Sequence, residues 1–219
     1  MSKETASKII LDLCGGTGAW SKPYAEAGYD VRNITLPDHD VMTFEPPKDV
    51  YGILAAPPCT QFSFARTNAK SLRDLKGGME LVEACLRIIW KAQYKPASNY
   101  AKYTRLKFWA LENPYLGLLK YFLGKPVFIF DPWEFGDAYK KKTALWGNFD
   151  EPKKTISDIK RVMSDEQIKK HKTNSQELPK FDRLKTKEIH GEFYGVLDRQ
   201  ARRAITPKGF AKAFYEANK

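Results

Sequence analysis

The sequence predicts a doubly wound α/β fold with a mostly parallel sheet. Short apolar runs alternate with amphipathic segments along the first half of the chain, as strands and helices do in this class. A glycine-rich turn, Gly15-Gly16-Thr17-Gly18, follows the first apolar run and leads into a helical segment. Strands that alternate with helices build a sheet covered on both faces, so we expect apolar residues to point to either side of it.

The first strand is predicted at Lys8 to Leu13, before a helix that Ser21 can cap and that tolerates Pro23 in its first turn. The next predicted elements are strands in YDVRNITL (29–36) and DVYGILAA (49–56), a helix from Ser71 to Gln93, a strand in LKFWALE (106–112), a helix in YLGLLKYFLG (115–124), and strands in PVFIF (126–130) and KTALWGNF (142–149).

Two of the predicted helices show clear apolar faces. The helix from Ser71 to Gln93 carries apolar residues at helical spacing, and Cys85 falls on its buried side. These apolar residues are Met79, Val82, Leu86, Ile89 and Trp90. The chain closes with a helix that Thr206 caps and Pro207 begins, and Phe210, Ala213 and Phe214 share one face of it.

The composition changes after residue 150. Residues 151–190 hold 11 lysines or arginines and 7 acidic residues, hence a net charge of +4, and Phe181 is their only aromatic residue. A segment of this kind lacks the apolar content for a core of its own. We therefore expect a core domain over residues 1–150, an exposed basic insertion over 151–190, and a segment over 191–219 whose helix completes the core.

Charge and cysteine content limit the function classes. Lysine and arginine total 37 against 26 acidic residues, a net charge of +11 that favours a polyanionic partner such as a nucleic acid. The three cysteines lack the spacing of a zinc site or a disulfide scaffold, so we expect no metal and reduced thiols. No hydrophobic run has the length of a membrane span or signal peptide, so we expect a cytoplasmic protein without a membrane partner.

The first loop, Asp12 to Gly18, follows a strand and opens a helix. Its glycines let backbone approach a ligand closely, which suits a dinucleotide, a phosphate group or S-adenosylmethionine. The loop does not match the dinucleotide fingerprint, because Ser21 stands where that pattern requires glycine. Further along, Asp40 can accept a hydrogen bond from an adenine amino group, although a lone acid is more often a turn residue.

Two further motifs follow predicted strands. Pro57 and Pro58 cannot donate to a sheet ladder, so the strand must end there and the rigid turn projects Cys59 above the sheet edge. A cysteine so placed can be a nucleophile, whereas a lone cysteine is more often inert packing. Glu112, in the loop Glu112-Asn113-Pro114, closes an apolar strand, and desolvation there raises its pKa and prepares it to donate a proton.

The order of DLCGGTG, PPCTQFS, ENP and RRAITPKGFAKAF resembles the DNA cytosine-5 methyltransferases, especially the short forms found in phage genomes. The resemblance covers most of residues 8–149 and the last 20 or so residues. It implies a Rossmann-like fold of the S-adenosylmethionine-dependent methyltransferase type, with S-adenosylmethionine as cofactor and DNA as partner. The target cytosine is then flipped out of the helix and methylated at carbon 5 through a covalent cysteine adduct.

The resemblance also implies roles for residues. Cys59 is the nucleophile, Glu112 engages the base, and Lys141 and Lys142 replace arginines that support the catalytic loop and phosphate. Trp20 replaces a stacking surface, because Cys14 stands where the family has an aromatic residue. The implied cofactor contacts are Asp12, Cys14, Gly15, Gly16, Gly18, Trp20, Asp40 and Pro57, and the implied substrate contacts are Pro58, Ser63, Asn113, Pro114 and Thr143.

Other functions stay open from the sequence. Bacterial family members carry a large target-recognition domain, whereas here only residues 151–190 can form a reduced one. This favours a free or modified pyrimidine nucleotide as substrate, or a relative of the sulfonium cofactor, while the positive charge favours DNA. The scaffold can also serve as a non-catalytic nucleic-acid-binding protein. A cysteine hydrolase lacks a placed histidine, since only His39, His171 and His190 occur.

Overall fold

The computed structural model describes residues 8–66, 70–93, 106–163, 191–193 and 195–219. In these residues six strands form one mixed, mostly parallel sheet, which confirms the predicted α/β class. The strands are β1 (Ile9–Leu13), β2 (Asp30–Ile34), β3 (Val50–Ala55), β4 (Phe108–Pro114), β5 (Phe128–Phe130) and β6 (Thr143–Asn148). The helices are α1 (Lys22–Glu26), α2 (Leu75–Gln93), α3 (Leu119–Leu123), α4 (Arg199–Ala204) and α5 (Lys208–Asn218).

The strand order across the sheet is β2-β1-β3-β4-β6-β5. Strands β1 to β4 run parallel to one another, whereas β6 runs antiparallel to both of its neighbours, β4 and β5. Because β6 is reversed, its first residue lies at the edge where β4 and β5 end, and Thr143 pairs there with Pro114 and Phe130. The order differs from the 3-2-1-4-5-6 order of the dinucleotide-binding fold.

One face of the sheet is covered by α2. Its apolar side packs on residues of β1, β3 and β4, and Cys85 is fully buried there, as the helical spacing predicts. Trp90 does not join this side and is 63% exposed. At about 100° per residue, Trp90 lies about 200° around the helix from fully buried Ile88 and so points away from the core. The helix begins at Leu75, four residues later than predicted.

The other face is covered by α1 and α5. The ring of Phe210 lies parallel to that of Phe130 with a centroid distance of 3.9 Å, and Phe214 meets Trp20 edge to face at 5.4 Å. Both phenylalanines are fully buried. The predicted cap is wrong, because α5 begins at Lys208 and the cap position is Pro207, one residue after Thr206.

The short helix α4 precedes α5. The sequence did not predict it, because its residues, RQARRA, have no apolar periodicity.

The first part of the predicted basic insertion packs against the core. The backbone N–H groups of Thr155 and Ile156 donate to the carbonyl of Glu134 at 3.0 and 3.1 Å. Lys154 forms an ion pair with Glu134 at 2.9 Å and lies 5.2 Å from the ring centre of Phe128. Residues 164–190, which hold the rest of the predicted insertion, lie outside the described residues. Within the described ranges, none of the helices combines the length and apolarity needed to cross a bilayer.

The packing of α5 predicts a large loss of stability when its central ring is removed. Phe210→Ala leaves a cavity among Trp20, Phe130 and Phe135, and we expect the free energy of unfolding to fall by about 3–5 kcal/mol. Urea unfolding followed by circular dichroism measures it. Lys212→Ala, on the exposed side of the same helix, should change stability by less than about 0.5 kcal/mol. Equal effects of the two substitutions would contradict the packing described.

Candidate active site

The predicted loops meet at the carboxyl edge of the sheet. Strand β1 pairs with β2 on one side and β3 on the other. The connection after β1 leads to β2, whereas the connection after β3 leads to β4, so the two connections run to opposite sides of the sheet. The N–H of Ala56 donates to the carbonyl of Leu13 at 2.9 Å, which joins the ends of β1 and β3. Ligands of open α/β sheets bind at such a switch point. The glycine loop after β1 and the two-proline turn after β3 flank it.

The glycine loop adopts left-handed backbone conformations that explain its composition. Gly16 and Gly18 have φ values of 54° and 70°, and Cys14 also has a positive φ of 55°. A Cβ atom at Gly15 would lie 2.4 Å from Cγ of Asp12 and 2.5 Å from Oδ1 of Asn33. Real Cβ atoms do not approach other atoms so closely, so only glycine fits beneath this loop.

Two buried acceptor oxygens converge under the loop. Asp12 is fully buried, and its Oδ2 accepts a hydrogen bond of 2.6 Å from Ser21. Asn33 donates to the carbonyl of Gly16 at 2.9 Å. Among the described residues, no partner reaches Oδ1 of Asp12 or Oδ1 of Asn33. Both oxygens lie close to the backbone of Gly15, and as buried acceptors without a donor they suit a cationic or hydrogen-bond-donating group.

Burial makes Asp12 a weaker acid than an exposed aspartate. Desolvation raises its pKa from 3.8 to about 6, against the opposing hydrogen bond from Ser21. The prediction that the Ser21 side chain caps α1 is wrong. Its hydroxyl donates to Asp12 and to the carbonyl of Gly18 and makes no cap hydrogen bond.

Cys14 and Asp40 lie close to each other beside this loop. A hydrogen bond from the Cys85 thiol lowers the pKa of Cys14, while burial and the charges of Asp12 and Asp40 oppose that shift. Asp40 is exposed, and its Oδ1 accepts the N–H of Met42 at 2.9 Å in a turn. The structure therefore brings Asp40 to the loop, with one of its carboxylate oxygens already engaged.

Trp20 has a different environment from the one its predicted role requires. It is 2% exposed and packs against Phe210 and Phe214 on the α5 side of the sheet. Its ring faces are covered by the core and do not form a stacking surface for a ligand. We therefore assign Trp20 to the core.

The two-proline turn is held from below. Asn113 is fully buried and donates from Nδ2 to the carbonyl of Pro57 at 3.0 Å. Pro57 is buried and Pro58 is exposed. The carbonyl of Cys59 accepts the N–H groups of Phe62 and Ser63 at 3.0 and 2.8 Å. Asn113 therefore fixes the turn that carries Cys59, and its contact with substrate stays a prediction.

Cys59, Glu112 and Lys141 are electrostatically coupled. Burial raises the pKa of the half-buried Cys59 thiol and the Glu112 carboxylate raises it further, while Lys141 and Arg203 lower it. Burial also raises the pKa of Glu112, and Lys141 opposes this shift. The predicted thiol and carboxyl thus lie at one site. Glu112 and Pro114 belong to β4 itself, where Glu112 pairs with Leu145, and not to a loop after the strand.

The two predicted lysines have different environments. The ammonium of Lys141 donates to the carbonyl of Ile205 at 3.3 Å, and the backbone N–H of Lys141 donates to the carboxylate of Asp131 at 3.1 Å. Thr143 is buried and donates to the carbonyl of Lys141 at 2.7 Å, so it positions this lysine. Lys142 is exposed, and its ammonium lies 5.4 Å from the ring centre of Tyr115. Of the two, Lys141 is the one that acts on Cys59 and Glu112.

Two residues of this edge were missed from the sequence. Asn33 reaches the glycine loop because β2 pairs with β1 so that Asn33 stands opposite Asp12. Arg203 acts on Cys59 across a long sequence separation, and the tertiary structure alone brings them together. The motif RRAITP was a visible signal for the arginine, although it specified no partner. His39 is exposed and faces Phe44, and the other two histidines lie outside the described residues.

Searches against protein-family models and against curated proteins give no match to this chain. We therefore interpret the site from its own residues.

The coupling predicts opposite changes in the reactivity of Cys59. Glu112→Gln removes a negative charge and should lower the pKa of Cys59, whereas Lys141→Ala should raise it. Because the thiolate is the reactive form, iodoacetamide should alkylate Cys59 roughly three- to tenfold faster in the first variant and slower in the second at pH 8. Peptide mass mapping separates Cys59 from Cys14 and Cys85. Lys142→Ala is the control and should leave the rate unchanged; a response equal to that of Lys141→Ala would refute the coupling.

The raised pKa of Asp12 predicts that the stability of the protein depends on pH. A carboxyl whose pKa is raised on folding binds its proton more tightly in the folded state, so stability falls as pH rises from about 4 to about 6. The loss attributable to Asp12 should approach about 3 kcal/mol, and Asp12→Asn should remove it. Urea unfolding of both proteins at several pH values from 4 to 7 measures the difference. Parallel stability profiles would show that Asp12 does not titrate in this range.

Proposed function

We propose that this protein transfers a methyl group from S-adenosylmethionine to carbon 5 of cytosine in DNA, through a covalent adduct with Cys59. One observation carries the proposal: a thiol, a carboxyl and an ammonium group act on one another at the ligand-binding edge of an α/β sheet. Clusters of mutually perturbed titratable groups are typical of active sites.

Cytosine chemistry needs this set of groups. Carbon 5 is a poor nucleophile until a thiolate adds to carbon 6 and converts the ring to an enamine. The addition places negative charge on the base, which a protonated carboxyl at N3 neutralises. The raised pKa of Glu112 favours the protonated form that this role requires. Lys141 and Arg203 favour the thiolate of Cys59.

The proton transfers balance as follows. Cys59 gives its proton to solvent and its sulfur bonds to carbon 6, while Glu112 gives its proton to N3. After carbon 5 is methylated, its proton passes to a water molecule and the electron pair of that C–H bond restores the double bond between carbons 5 and 6. The sulfur–carbon bond breaks at the same time, and its electron pair leaves with the sulfur, which regenerates the thiolate of Cys59. N3 then returns its proton to Glu112.

The residues beneath the glycine loop fit the proposed cofactor. S-adenosylmethionine carries an ammonium group and supplies a methyl group bonded to a positively charged sulfur. The unpaired buried oxygens of Asp12 and Asn33 suit a cationic group, and the absence of a side chain at Gly15 permits close approach. Cys14, Gly16, Gly18 and Asp40 would form the rest of its contact surface. The six-strand order is not the usual one of the S-adenosylmethionine-dependent methyltransferases, so we base this assignment on the site.

The charge of the chain favours DNA over a free nucleotide. A net charge of +11 is larger than one bound nucleotide needs, and phosphate contacts along a strand make use of it. Within a duplex, carbon 6 of cytosine is out of reach of a protein thiol, so the target base must leave the stack. Ser63 and Pro58 lie beside Cys59 and would border such a base.

The proposal predicts 5-methylcytosine after incubation with S-adenosylmethionine and cytosine-containing DNA, detected by nucleoside mass spectrometry. Cys59→Ser should abolish product because the adduct cannot form. Glu112→Gln should slow the reaction by about 10²- to 10⁴-fold, since N3 loses its proton donor. Glu83→Gln, which makes the same change at an exposed position on α2, is the matched control and should retain activity.

Other outcomes identify the alternatives. Product from cytidine nucleotides but not from DNA would assign the same chemistry to a smaller substrate. Salt-sensitive DNA binding without product from either substrate would leave a nucleic-acid-binding protein on this scaffold, and the proposed reaction would be wrong.

A further inference from the structure

We propose that a surface next to Cys59 binds single-stranded DNA by stacking its bases on exposed rings. The inference rests on the proposed function, because it names the form of DNA that this site takes. The surface, which we call the aromatic platform, consists of side chains from the segment after Cys59 and from the segment that follows β4. These are Phe64, Tyr115, Leu116, Tyr121 and Phe122.

The aromatic platform is attached directly to the nucleophile's loop. Ser63 forms an antiparallel bridge with Gly117, and the N–H of Phe64 donates to the carbonyl of Leu116 at 3.1 Å. The N–H of Leu118 donates to the carbonyl of Phe62 at 2.9 Å. Because the Cys59 carbonyl accepts the N–H groups of Phe62 and Ser63, the platform begins within one turn of the thiol.

The aromatic platform exposes an unusual amount of apolar surface. Tyr121 is 72% exposed, Leu116 58%, Phe122 49% and Phe64 46%. The exposure does not come from a loosely attached segment, since α3 is anchored by fully buried Leu119. Adjacent exposed apolar side chains on a folded surface mark an interaction site.

Positive charge lies over the same rings. Lys120 places its ammonium 4.9 Å from the ring centre of Tyr115 and 5.5 Å from that of Tyr121. The ammonium of Lys142 lies 5.4 Å from the ring centre of Tyr115. Residues 115–127 contain two lysines and no acidic residue. The ammonium groups can bind phosphates, and the rings beside them can stack on bases whose faces are accessible.

Single-stranded DNA has both of these features, whereas a duplex hides the faces of its bases within the stack. Base stacking on aromatic side chains and phosphate contacts with lysines are the usual means of binding single strands. A strand bound here would present a neighbouring nucleotide to Cys59 without the energy needed to unpair and unstack a duplex base. The aromatic platform therefore favours single-stranded DNA as the substrate of the proposed reaction.

Fluorescence anisotropy tests this with a labelled strand of about 16 nucleotides, the upper site size of a single-strand-binding module, and with the same sequence as a duplex. The measurement uses the full chain without cofactor. We expect tighter binding to the single strand, weakened roughly 5- to 100-fold by Tyr121→Ala and little changed by Tyr121→Phe, which keeps the ring. Lys120→Ala should reduce the slope of log K against log salt by about 0.7.

Two substitutions elsewhere serve as controls. Trp90→Ala removes a ring that is 63% exposed, about 18 Å along α2 from Gly78, which contacts the loop of Gln61 and Phe62. Lys212→Ala removes an exposed lysine on α5. Neither should alter the preference for the single strand. Equal or tighter duplex binding, or affinity that Tyr121→Ala leaves unchanged, would overturn the inference.

The same variants separate this inference from the proposed reaction. Single-strand binding that depends on Tyr121, in a protein that makes no 5-methylcytosine, would support the aromatic platform and refute the reaction. Methylation that Tyr121→Ala leaves unaffected on single strands would support the reaction and refute the aromatic platform.

Discussion

The antiparallel pairing of β6 with β4 is the interaction on which the candidate site depends. In a wholly parallel sheet, the residues before a strand lie at the opposite edge from the residues that end it. Because β6 is reversed, Lys141, which precedes it, instead stands at the edge where β4 ends, two residues beyond Glu112. The pairing also requires Gly147, since a Cβ atom there would lie 2.1 Å from the carbonyl oxygen of Trp109. One reversed strand thus supplies the cation beside the thiol and the carboxyl.

Burial gives the site its chemical character. The pKa of Asp12, Cys59 and Glu112 is raised mainly by desolvation, and this follows from their positions at the ends of buried strands. Such groups are costly to ionise, so the fold must supply the energy elsewhere. The apolar packing of α2 on one face and of α5 on the other provides it. The strands that carry the buried ionisable groups are therefore the same strands on which α2 and α5 pack to stabilise the fold.

Much of the fold could be predicted from the sequence because apolar runs of strand length are a local signal. The direction of β6 could not, since an apolar run has the same composition in either direction. Cys59 and Glu112 could be predicted to lie near the same sheet edge, because the two prolines end β3 and the acid comes at the end of the apolar run of β4. Trp20 was misassigned because a tryptophan beside a glycine loop can face the ligand or the core, and Phe210 and Phe214, almost 200 residues away in sequence, decide which. Contacts at such a separation leave no local pattern.

The central claim is that Cys59 and Glu112 act together on one pyrimidine ring. DNA containing 5-fluorocytosine tests it directly, because fluorine cannot leave carbon 5 as a proton does and the sulfur stays bonded to carbon 6. Mass spectrometry of the protein after incubation with this DNA and S-adenosylmethionine should show an adduct on the peptide of Cys59, formed far more slowly in Glu112→Gln. An adduct on another residue, or none while ordinary cytosine is methylated, would contradict the account.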